Sequence, residues 1–340
     1  METFLSVSLR TCGGSNLPRK TLLFSLLMSL TLINTVRSAD TLWYLPPKAS
    51  SVRQSGWLPR PFVRLVGQVR AFEEHQVKLI VDDAVSAEAS MEQSIAFERI
   101  VWIETDWSSE PNVAAAMEAF EQGRFAESLQ PLTEYVKTSN TQWRRLIAYG
   151  YLMLAAAELQ RYDASLAIAS GFYQSQPPDF LYHLMPIAWT TPVHSVARQQ
   201  AAVAQLASSN RGVALVAASW LLAGPHREQA DAVLQKISND PADAVLARLA
   251  DAVRWRLATG EDVAKSLDRW EEKIDRIPIA LQPGPMTTIA DRLRANGLSG
   301  EAAVWWLSVA TLGKRAGRLA DQAEAALQKI ATENHPPTTD

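Results

Sequence analysis

Two short corners, Gly123-Arg124-Phe125 and Gln160-Arg161-Tyr162, lie 37 residues apart in a stretch where almost every other segment has helical spacing. Each follows an Ala-rich segment and precedes one with apolar residues at helical intervals. Gly123 suits a helix end that needs a left-handed backbone, and Phe125 and Tyr162 are placed to plug the angle between two helices. One such hairpin cannot bury its apolar face alone, so recurrence at a fixed interval points to helix pairs stacked on one another.

The rest of the chain from Pro111 fits that constraint. Apolar spacing predicts helices over 112–121, 126–137, 142–159 and 163–174, then over 195–206, 211–223, 226–237, 242–258, 262–275, 286–295, 301–311 and 317–332. Ser109 is positioned as an N-cap, with Pro111 in the first turn where its missing N–H costs nothing. Alanine runs such as Ala114-Ala115-Ala116 and Ala155-Ala156-Ala157 combine high helix propensity with room for close helix approach. A Pro-rich break, Pro177–Pro192, separates the fourth predicted helix from the fifth, and Tyr182–Trp189 inside it reads as a packing loop closing the second hairpin.

The corners and their surroundings resemble the tetratricopeptide repeat, a helix hairpin of about 34 residues. Ala116, Gly123 and Phe125 match its small, glycine and aromatic positions, and Ser128 stands in for its second-helix alanine. In the next hairpin Leu152, Tyr162 and Pro177 match, while Met153 replaces a small residue and Ala169 and Phe172 reverse the usual large-then-small order. A third match is Ala290, Gly297, Ala302 and Trp306, with Ser299 departing at the aromatic position. Ser208–Ile237 reads instead as a generic hairpin, so the array is degenerate or interrupted, and a non-repeating all-helical domain is the alternative. The resemblance implies an α-solenoid whose curved face binds peptides or proteins.

Ahead of the helices the pattern changes. Residues 62–107 hold several short β-type runs, and Val66-Gly67-Gln68-Val69, Leu79-Ile80-Val81 and Ile100-Val101-Trp102-Ile103 loosely resemble small Sm-like or SH3-like barrels. Gly67 marks a bend where a side chain would crowd the facing strand. Residues 39–61, with Pro46, Pro47, Pro59 and Pro61, read as an irregular linker or strap. Residues 1–38 read as an export signal: Arg19-Lys20, the thirteen-residue uncharged run Thr21–Ile33, then Val36-Arg37-Ser38 ahead of a cut after Ser38. An uncleaved anchor is the alternative. The helical domain is expected over 110–333 and a flexible tail over 334–340. The fold class is therefore mainly α: a helix-hairpin solenoid preceded by a small all-β barrel.

Composition narrows function mostly by exclusion. The net charge is −3, and residues 1–38 carry four basic residues against one acidic one, so a processed chain is more acidic still and suits nucleic-acid phosphates poorly. The one cysteine, Cys12, precedes the apolar run, which leaves the processed chain without a disulfide, a thiolate nucleophile or a Cys metal ligand. His75, His183, His194, His226 and His335 form no i, i+4 pair. The acidic neighbours Glu73-Glu74, Asp82-Asp83 and Glu271-Glu272 read as turn or solvated-helix features, and neither a nucleophile elbow nor a phosphate loop is present in the processed part. No catalytic residue, cofactor or metal is expected.

The expected function is that of an exported, non-catalytic scaffold in the periplasm or cell envelope, or outside the cell, that binds a protein or peptide. The solenoid register turns Ile147, Gly150, Leu154 and Glu158 to the concave side as one stripe. Two other classes compete. An envelope enzyme or accessory subunit would show a pocket joining Trp102, Trp107 and Tyr149 with convergent carboxylates, whereas a binding scaffold would show an open groove lined by first-helix side chains. A self-associating structural protein would use Trp305 and Trp306. Most of the eleven Trp residues are expected as core or inter-helix wedges, with one or two lining a groove.

Overall fold

Alternation of inward and outward residues builds the front of the molecule as strands. In Val63–Glu73 the chain buries Gly67 and Val69 while Arg64, Val66, Gln68 and Arg70 face outward. The computed structural model describes residues 39–46, 62–73, 75–82 and 90–334. The expected export signal, residues 47–61 and the last six residues of the expected tail lie outside them.

Five strands form one antiparallel sheet: β1 (Asp40–Tyr44), β2 (Val63–Glu73), β3 (Gln76–Asp82), β4 (Ser90–Ala96) and β5 (Ile100–Glu104), in the order β4-β3-β2-β1-β5. Two expectations are corrected here. The sheet is not closed into a barrel, because β5 pairs with β1 and not with β4. The apolar face that a barrel would turn on itself is covered by helical residues instead, with Phe72 5.7 Å from the Trp143 ring and 5.5 Å from Phe180. Nor is all of 39–61 irregular. Asp40–Tyr44 is an inner strand paired on both sides, and Leu42 is fully buried. Gly67 behaves as expected: a Cβ there would lie 2.2 Å from the Ile80 carbonyl oxygen on β3, so only glycine lets the strands approach at this bend.

Twelve α-helices follow among the described residues: α1 (Pro111–Glu121), α2 (Phe125–Thr138), α3 (Gln142–Glu158), α4 (Tyr162–Gln174), α5 (Val196–Gln205), α6 (Arg211–Leu221), α7 (Arg227–Ser238), α8 (Ala244–Arg254), α9 (Glu261–Ile274), α10 (Pro283–Ala295), α11 (Ser299–Ala310) and α12 (Arg318–Asn334). The fold is thus mainly helical. Each predicted helix is present with ends displaced by a few residues, and α12 takes in Asn334, which was assigned to the tail. The cap of α1 is Glu110, without a side-chain bond, and not Ser109; Pro111 occupies the first turn.

Three helix corners share one geometry. Gly123, Gln160 and Gly297 have φ of 75°, 58° and 79°. The amides of Arg124, Arg161 and Leu298 then donate back to Ala119, Ala156 and Leu293 at 2.8, 2.9 and 3.0 Å. That six-to-one closure satisfies carbonyls that a helix end otherwise leaves open. Around each corner the matching positions are buried: Ala116, Met153 and Ala290 before it, and Ser128, Ser165 and Ala302 after it. The hairpins α1–α2, α3–α4 and α10–α11 are therefore built alike. Of the helices between them, α5, α6 and α8 start on side-chain caps, with Asn210 accepting from the Val213 amide at 3.2 Å and Asp243 from Leu246 at 2.9 Å.

The Pro-rich break is a strap through the interior. Its 3₁₀ turn, Asp179–Leu184, buries Phe180, Leu181 and Leu184. Gly150 on α3 admits Leu184, since a Cβ there would lie 2.3 Å from its Cδ1. Gly284 on α10 admits Trp189 in the same way, at 2.1 Å from Cε2. A buried irregular backbone must find polar partners. Here the Pro186 carbonyl accepts from Trp220 Nε1 at 2.8 Å, Ala188 N–H donates to Ser219 Oγ at 3.0 Å, and the Trp189 carbonyl accepts from Thr288 Oγ1 at 2.8 Å. Arg256 Nη1 donates to the carbonyls of Ala188 and Ser219 at 2.8 and 2.6 Å. The strap closes the second hairpin, as expected, and also fastens it to α6, to the 3₁₀ turn Trp255–Leu257 after α8, and to α10.

Candidate aromatic cleft

The periodicity of α3 decides which of its side chains face inward. Residues 147, 150, 151, 154 and 158 follow one another at helical intervals and share a face. That face borders a cavity of about 1070 Å³, walled on other sides by β5, α1, the strap and the start of α12. Ile147 is buried at its inner end. Gly150 is covered by Leu184, so its missing side chain serves the protein's own strap. Leu154 and Glu158 are half-buried on the cavity wall, and Glu158 is paired with Arg318 at the head of α12.

Aromatic residues make up much of the remaining wall. Trp43 and Trp102 stand opposite one another across the β1–β5 pairing. The Trp102 ring lies 5.2 Å from the His183 ring on the strap. Phe120 contacts Phe125 at 5.2 Å and Tyr151 at 5.0 Å, both edge to face. Such pairs contribute beyond their buried area and hold ring orientation. Six tryptophans, among them Trp143, Trp255 and Trp270, are core residues, while Trp43, Trp102 and Trp189 are half-buried on the cavity.

Among the described side chains of the wall, carboxylates outnumber cations. Glu104, Glu121, Glu158, Asp321 and Glu324 face the cavity with Arg198 and Arg318. Arg318 pairs with Glu158, while Arg198 donates to Tyr162 Oη at 2.9 Å and to the Val193 carbonyl at 3.0 Å. Burial pushes the Tyr151 hydroxyl's pKa up, and the nearby carboxylates of Glu121 and Glu104 push it further, so it stays protonated as a hydrogen-bond donor.

His183 is neutral in this wall. Its Nδ1 lies 2.6 Å from the Phe180 carbonyl and donates to it, and burial lowers its pKa from 6.5 to about 4. A depressed histidine pKa gives stability that is present above 6.5 and is lost as pH falls towards 4, because the unfolded chain takes up the proton first. By pH 5 this difference amounts to about 2 kcal/mol. Thermal melts at pH 7 and pH 5 are expected to show a wild-type decrease that His183→Phe reduces; an equal decrease in both proteins would remove His183 as its cause.

Of the pocket sought from the sequence, Trp102 and Trp107 line the cavity but Tyr149 does not. Tyr149 faces Gly171 on α4, where a Cβ would lie 3.7 Å from its ring, and Tyr151 occupies the cavity instead. Two residues along a helix are about 200° apart, so only one of the pair can face inward. Trp43, Phe120, Glu104 and Glu121 were not singled out from the sequence. Trp306 is buried in the α10–α12 packing, and Trp305 is half-buried. A second hollow of about 510 Å³ between α2 and α4 has no aromatic lining. No group of three metal-ligating side chains occurs among the described residues, and no helix among them is long and apolar enough to cross a membrane. Compared with models of known protein families, with curated proteins and with solved structures, the chain matches none.

Proposed function

We propose that the protein is an exported, non-catalytic scaffold of the cell envelope that holds an extended, basic and apolar segment of a partner protein in the aromatic cleft. The three like-built corners support a tetratricopeptide-like reading, in which the first helices of successive hairpins face the ligand. One observation carries the proposal. The cleft is lined by first-helix side chains, Phe120 and Glu121 from α1 and Ile147, Tyr151, Leu154 and Glu158 from α3, and it combines aromatic surface with carboxylates. Aromatic rings receive aliphatic side chains and the stems of lysine or arginine, and the carboxylates favour the cationic ends.

Fluorescein-labelled decapeptides of Lys, Leu and Gly provide the test, against peptides with Glu in place of Lys. Saturable binding of the Lys peptides is expected, at least about tenfold tighter than that of the Glu peptides. Leu154→Arg should abolish it while the protein stays folded, since the side chain is half-buried at the cavity wall. Unfolding or aggregation of that variant would mean that Leu154 is a packing residue, because a buried unpaired charge is expensive. Equal binding of both peptide classes would remove the charge argument.

A second reading, an enzyme or an accessory subunit of one, is favoured by the approach of Glu104 and Glu121 to the Tyr151 hydroxyl. It predicts turnover of a bound peptide or glycan that is lost in Tyr151→Phe, whereas the scaffold reading predicts no turnover in either protein.

A further inference from the structure

The start of β1 is an unusual electrostatic site. Asp40 is 1% exposed, and its carboxylate accepts from the Val69 and Asp106 amides, each at 3.0 Å. Asp106 in turn accepts from the Ala39 main-chain nitrogen through Oδ2 at 3.0 Å and from the Ser108 amide through Oδ1 at 2.8 Å. Arg144 lies 3.5 Å from Asp40 Oδ1 and 3.3 Å from Glu110 Oε1, with its guanidinium set over the rings of Trp107 and Trp143. Burial raises the pKa of Asp40, and the Asp106 charge beside it adds to the rise. A positive charge at the Ala39 nitrogen would face the Asp106 carboxylate.

Such a charge arises at one point in the chain. Val36-Arg37-Ser38 ends the segment read as an export signal, and the inference rests on that reading. We propose that the chain is cut between Ser38 and Ala39 and that Asp106 is the receiving site for the α-ammonium group so produced. The cut is a hydrolysis by a signal-processing endoprotease. Water adds across the Ser38–Ala39 peptide bond, the new carboxylate leaves on Ser38, and the amine freed on Ala39 takes up a proton.

The geometry already holds the donor and acceptor at hydrogen-bonding distance, so the cut adds a full positive charge to a donor that already faces an ionised acceptor. A cut one residue later would remove Ala39 and its bond to Asp106. A cut further on would shorten β1, the strand between β2 and β5. Processing and folding therefore favour the same bond.

An amine facing a carboxylate has a raised pKa, so its contribution to stability is complete below the ordinary value of about 8 and fades as pH rises through the raised one. The full chain, wild type and Asp106→Asn, is to be produced in an exporting bacterium, and the intact mass of the soluble product read. The expected mass begins at Ala39. The Ala39 amine is then titrated by the pH dependence of its acylation, followed by peptide mass spectrometry. In the wild type it should half-titrate about one pH unit above 8. In Asp106→Asn, which keeps an acceptor oxygen but loses the charge, it should return to the ordinary value. A first residue other than Ala39, an intact Met1, a wild-type amine at or below the ordinary value, or the same raised value in Asp106→Asn would each overturn the proposal. The wild-type measurements decide it even if the variant folds poorly.

Discussion

Tyr162→Ala is expected to lose about 3–5 kcal/mol of unfolding free energy, in the range of truncated aromatic cores. Tyr162 is 5% exposed at the α3–α4 corner. Its ring meets Trp220 on α6 edge to face at 5.5 Å, and the Arg198 guanidinium of α5 lies 4.8 Å from the ring centre. The sequence reading placed Tyr162 between the two helices of its own hairpin; the structure shows that it also reaches α5 and α6. Removing the ring leaves a cavity bordered by all these elements, and cavities add to the lost transfer energy. Tyr162→Phe removes only the oxygen that accepts from Arg198, which also donates to the Val193 carbonyl, so its expected cost is about 1 kcal/mol. Urea titration of the three proteins checks the order; a loss near zero for Tyr162→Ala would mean that the corner does not brace its neighbours.

Arg256→Met is expected to cost about 2–4 kcal/mol, from a side chain of similar length and no charge. Arg256 is 6% exposed, and burial, with the nearby Arg292 charge, lowers its pKa to about 10. The desolvated guanidinium is itself unfavourable, and methionine relieves that cost. The variant nevertheless leaves the Ala188 and Ser219 carbonyls without their shared donor, and each orphaned interior carbonyl costs about 1–3 kcal/mol. The carbonyl terms win because Arg256 donates to both at once. Denaturant titration measures the loss, and limited proteolysis should show earlier cleavage within residues 177–192. A variant as stable as the wild type, with an unchanged cleavage pattern, would mean that the strap is held by packing alone.

Helices were legible because their information is local. Ala114-Ala115-Ala116, Gly123 and Phe125 state a helix, its end and the next start within a dozen residues. The first strand was not legible for the opposite reason. Asp40–Tyr44 is short, opens with a carboxylate and runs into Pro46; what makes it a strand is pairing with β2 and with β5, about 60 residues away. A barrel was expected from the same runs because alternation shows that a face is buried without showing what buries it, and here helical residues such as Trp143 do so. The stripe 147–150–154–158 was grouped by period alone. Its division was not legible: Gly150 is covered by the strap, whereas Leu154 and Glu158 stand on the cleft. Tyr149 was chosen over Tyr151 because neither residue type nor spacing tells which side of an isolated helix faces inward.

The strap changes how the molecule must come apart. In an ideal stack of hairpins each unit contacts only its neighbours, so the ends can fray while the middle persists. Here Leu184 is lodged in α3 and Trp189 in α10, and the Trp189 carbonyl is bonded to Thr288, 99 residues further along. Releasing the late hairpins withdraws the partners of the strap, and releasing the strap uncovers the early ones. Melting that reaches α3 or α10 is thereby penalised, because it loosens the strap on which the other hairpin is packed.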